Sequence, residues 1–267
     1  MKLTRIAALS SSLLLGAVLT LTGASTAQAD ESAALDYVAL GDSYSSGLGA
    51  GSYGDSGSCK RSGVAYPQLW ANANSPSSFA FTACSGARTG DVTGSQLGPV
   101  NSGTDLVSLT VGGNDAGFAD VMLTCVLQSE ANCVSRVNQA RGYVDTTLPG
   151  QLDSVYNAIS ARAPSAKVVV IGYPRFYQLN GSCVVGLTET ERSAINGAAD
   201  HLNSLLAKRA ADHGYSYADV TGPFTGHEIC SSSSWLHSVS VPNLGESYHP
   251  TAQGQSGGYL PAFSSAV

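Results

Sequence analysis

Ser43 and His249 are the two residues of this chain whose type and setting best suit nucleophilic chemistry. Ser43 stands in Gly41-Asp42-Ser43-Tyr44, directly after the run Tyr37-Val38-Ala39-Leu40. A serine at the C-terminal end of a buried strand projects from the sheet edge where open α/β proteins take their ligands. Its hydroxyl is nearly inert until a neighbouring base takes the proton. His249, in Ser247-Tyr248-His249-Pro250, is the most persuasive base. Pro250 and the residues after it read as the opening of a final helix, which leaves the imidazole on a loop at its mouth. His201 and His213 fall within a long helical pattern, and His227 and His237 flank Cys230 and Trp235 as weaker candidates. Acyl transfer also needs donors for a developing oxyanion. Asn114 in Gly112-Gly113-Asn114-Asp115 can offer a side-chain amide, and Gly86 in Ser85-Gly86-Ala87-Arg88 a backbone N–H. Taken singly, each has a plainer meaning: a strand-to-loop turn, good turn chemistry, or a surface or capping histidine.

The elements that must position these residues are legible as alternating runs. Strand patterns fall at Asp36–Leu40, Phe79–Ala83, Leu106–Val111, Lys167–Ile171 and Tyr215–Val220. Leu106–Val111 and Val168–Ile171 are near-continuous apolar runs, as expected of strands covered on both faces. Between them lie helical patterns: one opening at Pro67, one over Phe118–Leu127, and one over Val134–Arg162 with a break expected at Pro149. Thr188-Glu189-Thr190-Glu191 fits a capping box, and Ile195, Ala199, Leu202 and Leu206 then recur at helical spacing until His213-Gly214. Strand and helix in alternation predict a parallel sheet with helices on both faces. Ser43, Gly112-Gly113-Asn114 and Gly172-Tyr173-Pro174 all follow strands directly, so they gather on one sheet edge.

Gly41-Asp42-Ser43-Tyr44, Gly86, Gly112-Gly113-Asn114-Asp115 and His249-Pro250 together resemble, in order and context, the motifs of the GDSL or SGNH hydrolases. The resemblance spans nearly all of the chain beyond its N-terminus and is strongest to the secreted bacterial GDSL lipases and phospholipases A1 with six cysteines. It implies a flavodoxin-like three-layer α/β/α sandwich with a parallel sheet of about five strands. It also implies Ser43 as nucleophile, His249 as base, and the Ser43 and Gly86 N–H groups with the Asn114 side chain as oxyanion donors. Cysteine pairing in sequence order is implied as well: Cys59–Cys84, Cys125–Cys133 and Cys183–Cys230. The family commonly places Asp three residues before the catalytic histidine, and here that position holds Glu246. Two readings stay open. Glu246 orients the imidazole, or the Ser247 main-chain carbonyl does so, as in relatives that lack the Asp.

Lys2 and Arg5, the mostly apolar run from Ile6 to Leu21 and Ala27-Gln28-Ala29 have the layout of a secretory signal peptide over residues 1–29. The run is short for a membrane anchor, and no second span follows. All six cysteines lie beyond it, an even set that in an exported chain reads as disulfides, with 15 pairings open to the sequence alone. The net charge of −6 becomes −8 once Lys2 and Arg5 are gone. So acidic a chain disfavours nucleic acid or an anionic bilayer as an electrostatic partner. The 238 residues from Asp30 onward carry no low-complexity linker or repeat and read as one domain.

Gly49-Ala50-Gly51-Ser52-Tyr53-Gly54 spells a dinucleotide fingerprint, but without a strand directly before it or an acidic residue at the right distance. It reads as a loop beside Ser43. The expectation is a secreted monomer hydrolysing acyl esters or phospholipids without cofactor or metal. A carbohydrate acetyl esterase and a non-catalytic carbohydrate-binding module are the rival readings.

Overall fold

The computed structural model describes residues 35–241 and 243–267. The signal-peptide reading of residues 1–29 lies outside them. In chain order the elements are β1 (Asp36–Gly41), α1 (Ser43–Ser46), α2 (Tyr66–Asn74), β2 (Ser78–Phe81), α3 (Thr89–Asp91) and β3 (Leu106–Thr110). After them come α4 (Phe118–Leu127), α5 (Glu130–Thr146), α6 (Leu148–Arg162), β4 (Lys167–Ile171), α7 (Glu189–Asp212), β5 (Ser216–Ala218), α8 (Thr221–Phe224) and α9 (Leu260–Ala266).

The five strands pair in parallel in the order β2-β1-β3-β4-β5. This is the flavodoxin-like order, whose switch point lies between β1 and β3. The crevice outside the carboxyl ends of those two strands is therefore the natural place for a ligand. On one face Trp70 of α2 and Phe263 of α9 pack on Tyr37 at ring separations of 5.2 and 5.7 Å. The other face is covered by α6 and α7 through buried Leu148, Leu152, Ile159, Leu202 and Leu206.

Element limits differ from the sequence reading where a local bond intervenes. β2 stops at Phe81 because the Thr82 and Ala83 N–H groups both reach the Ala39 carbonyl, which breaks the ladder before Cys84. β5 begins at Ser216 because the Tyr215 N–H closes the end of α7 on the Ala210 carbonyl. The break in the long helical pattern falls at Thr147, two residues before Pro149. Proline is tolerated there because first-turn N–H groups have no helical acceptor anyway. The capping box at the start of α7 forms, with Thr188 Oγ1 accepting from the Glu191 N–H at 3.3 Å and Glu191 from the Thr188 N–H at 2.8 Å. Three disulfides join Cys59 to Cys84, Cys125 to Cys133 and Cys183 to Cys230.

Candidate active site

The end of β1 is held rigidly before the serine. Gln96 clasps Gly41 from both sides, accepting its N–H at 2.7 Å and donating to its carbonyl at 2.9 Å. Gly41 sits at φ +123°, and a Cβ there would lie 2.5 Å from the Thr110 carbonyl oxygen, so only glycine fits. Asp42 then caps α1. Its buried carboxylate accepts from the Tyr44 N–H at 3.0 Å, the Thr110 hydroxyl at 2.6 Å and the Tyr173 hydroxyl at 2.5 Å. Burial pushes the Asp42 carboxyl up from 3.8 to about 6, against the opposing pull of these bonds. Ser43 is thereby the first residue of a one-turn helix, where its N–H has no acceptor within the helix.

The Ser43 Oγ lies 2.7 Å from His249 Nε2, although 206 residues separate them in the chain. His249 Nδ1 lies 2.9 Å from the Ser247 main-chain carbonyl. A carbonyl can only accept, so Nδ1 carries the proton and Nε2 presents its lone pair to the serine hydroxyl. Burial is the main cause that lowers the imidazole to about 4, and His237 adds to it. The ring is therefore a neutral base at pH 7.

The loop that carries His249 is clamped by residues to which the sequence reading gave no such role. Tyr248 adopts φ +67°, uncommon for a tyrosine, and this turn brings the imidazole back over the Ser247 carbonyl. The Tyr248 carbonyl accepts from the Tyr44 hydroxyl at 2.7 Å, and the chain on either side pairs with the backbone of His237. His237 is thus a support rather than a base, with Nε2 2.8 Å from the Gly49 carbonyl oxygen. The loop at Gly49–Gly54 has the same supporting role. A Cβ on Gly49 would stand 2.9 Å from that of His249.

The Glu246 carboxylate makes its hydrogen bond to another residue. It accepts from the Tyr53 hydroxyl at 2.8 Å, and Tyr53 in turn accepts the Gly49 N–H at 2.8 Å. The side chain braces the adjoining loop, while the Ser247 carbonyl occupies the position at Nδ1. Glu246 hydrogen-bonds His249 through its main chain, accepting the His249 N–H at 3.1 Å, and its carboxylate charge acts on the imidazole without a hydrogen bond.

Gly86 and Asn114 arrive from the ends of β2 and β3. Gly86 turns at φ +80° just after the Cys59–Cys84 bridge. Asn114 Nδ2 donates to the Ala87 carbonyl at 3.0 Å, which fixes the amide and leaves its second hydrogen for another acceptor. Asp115 fastens the two loops together by accepting from the Thr89 hydroxyl at 2.6 Å and the Thr89 N–H at 3.1 Å.

Ser43, Gly86, Asn114 and His249 all line one cavity of about 440 Å³. The rest of its walls are largely apolar, with Leu48, Phe118, Met122, Val126, Ile195 and Leu202 among them and Asp42 and Arg141 as charged exceptions. A hydroxyl paired with a neutral imidazole at one end of such a cavity has the reach for base-assisted nucleophilic attack on an acyl carbon. Among the described residues no group of three or more His, Cys, Asp or Glu is placed to hold a metal ion. Tyr173 and Asp42 were missed as site supports. The position of Tyr173 directly after β4 was the available signal.

Residues 39–256 match the family model described as the GDSL-like Lipase/Acylhydrolase family. The chain is 65% identical over its whole length to the full length of "Lipase 1" of Streptomyces coelicolor. It superposes on the crystal structure of phospholipase A1 from Streptomyces albidoflavus with a TM-score of 0.86 and 69% identity, covering 88% of this chain and 100% of that one. For the extracellular lipase of Streptomyces rimosus the values are 0.85 and 64%, with the same coverage. The chain therefore belongs to the GDSL-like Lipase/Acylhydrolase family, a family of ester hydrolases.

Proposed function

We propose that this chain is a secreted serine esterase that cleaves carboxylic esters of acyl lipids, phospholipids among them, through an acyl-enzyme on Ser43. The observation that carries the reading is the 2.7 Å contact between Ser43 Oγ and a neutral His249 at the end of a largely apolar cavity. Ser43 Oγ bonds to the ester carbonyl carbon as its proton passes to His249 Nε2. The oxyanion that forms accepts from the Ser43 and Gly86 N–H groups and the Asn114 amide. Collapse breaks the ester C–O bond, and His249 returns its proton to the leaving alcohol. Water then attacks the acyl-enzyme with His249 again as base, which releases the carboxylic acid and restores the serine.

The cavity is far larger than an acetyl group needs, and its apolar walls favour a long acyl chain. The relatives named as lipases and as phospholipase A1 support the same substrate class. Three disulfides, and a relative named as extracellular, support export with residues 1–29 removed and residues 30–267 acting as one domain. The test is hydrolysis of short-chain and long-chain esters and of a phospholipid by the wild type and by folded Ser43→Ala. Turnover that favours long chains and vanishes in the variant is expected. Turnover confined to acetyl esters, or retained in Ser43→Ala, would overturn the reading.

A further inference from the structure

The exposed large apolar side chains of the described residues are not scattered. Apart from the C-terminal Val267, all of them fall on three segments: Leu123 to Leu127, Leu179 to Val185, and Val239 to Leu244. Val184, Val185, Val241 and Leu127 are 95%, 81%, 79% and 71% exposed. Isolated exposed leucines or valines mean little, but a contiguous apolar face marks an interaction surface.

The three segments meet at the mouth of the catalytic cavity. Leu123, Val126, Val239 and Leu244 form part of its lining. A second hollow shares Val126, Val239 and Tyr248 with it and is bounded by Val185, which brings the middle segment to the same rim. Two disulfides pin this rim. Cys125–Cys133 ties α4 to α5, and Cys183–Cys230 ties down the segment that bears Val184 and Val185.

The chemistry of the rim selects its occupant. Residues 121–129, 176–188 and 229–245 contain no Asp, Glu, Lys or Arg, in a chain whose net charge is −6. The charged side chains at the two hollows, Arg141, Glu130, Glu191 and Arg192, belong to α5 and α7, and the three segments themselves offer a protein partner none of the formal charge that normally holds one in register around an apolar centre. A neutral or zwitterionic lipid surface needs none. We propose that these three segments form a face that docks on a lipid–water interface, so that an acyl chain passes from the lipid into the cavity without crossing water. The proposal rests on the ester-hydrolase reading above.

The test compares Ser43→Ala, which binds without turnover, with the same protein carrying Leu127→Ser, Val184→Ser, Val185→Ser and Val241→Ser. None of these four lines the catalytic cavity. Partitioning onto phosphatidylcholine vesicles is expected to fall by about 100-fold, as four side chains lose their apolar transfer. Binding of the parent is expected to persist in high salt. With Ser43 restored, the fourfold variant keeps its rate on a soluble short-chain ester and loses rate on the vesicles. A Val184→Trp variant gives an independent signal, because its fluorescence shifts to the blue on insertion. Equal partitioning of parent and fourfold variant overturns the proposal, as does binding only to anionic vesicles and only at low salt. Self-association that the four substitutions abolish, without vesicle binding, also overturns it, because the face would then belong to a second copy. A wild type that cleaves soluble ester but fails these tests refutes the docking face alone, whereas one that cleaves no ester refutes the hydrolase.

Discussion

The Asp42→Asn variant isolates the titration of the base, because Asp42 and His249 are the two groups at the site that burial moves into the mildly acidic range. The His249 imidazole is lowered to about 4, and the Asp42 carboxyl is raised to about 6. The base works only when neutral. At pH 5.5 a histidine of pKa about 4 is almost wholly neutral, and an ordinary one is mostly charged, so the active fraction differs roughly ten-fold. For kcat/KM on a soluble ester, which reports the free enzyme, Asp42→Asn is expected to keep activity down to an acid limb near pH 4. A limb near pH 6 that is present in wild type and absent in the variant belongs to Asp42.

Stability gives a second readout with a definite sign. The folded protein depresses His249, so the unfolded chain binds more protons between pH 4 and 6.5, and stability rises with pH across that window. The folded protein raises Asp42, so the folded chain binds more protons between its ordinary 3.8 and about 6, and stability falls with pH there. Each amounts to about 3 kcal/mol, so the two roughly cancel in wild type. Removing Asp42 uncovers the histidine, and the Tm of the variant is expected to climb as pH rises from 4 to 6.5. Both proteins showing an acid limb near pH 6.5 would refute the reasoning that burial depresses the imidazole.

Asn114→Ala is expected to lower kcat by about 10²–10³-fold while KM for a soluble ester changes little, as measured by steady-state kinetics. Glu246→Ala should cost less than about ten-fold in kcat, since the Ser247 carbonyl rather than this carboxylate holds the imidazole. A fall matching that of His249→Ala would place the carboxylate on the base. Replacing Cys59 and Cys84 by serine opens a loop closed across 25 residues and is expected to cost about 3.5 kcal/mol of stability, read from denaturant unfolding. It should also weaken turnover, because the bridge anchors the turn that carries Gly86.

What the sequence determined by itself is local or carried by pattern. The apolar runs of β1, β3 and β4 are buried on both faces and read as strands with little error, because such burial admits few polar residues, in β3 the hydrogen-bonded Ser108 and Thr110. The Thr188–Glu191 box announced α7 because a cap is satisfied within four residues. Ser43 and Asn114 were visible as candidates because each follows a strand on the ligand-binding edge. Only the tertiary structure decided which group meets His249 Nδ1. That choice depends on the left-handed turn at Tyr248 and on Tyr53, which lies 193 residues from Glu246 and takes its carboxylate. The fold likewise decided that Asp42 is buried, which raises its carboxyl to about 6 against the lowering pull of the Thr110 and Tyr173 hydroxyls. A side chain's reach and its loss of water are set by neighbours distant in the chain, and no spacing along one strand encodes them.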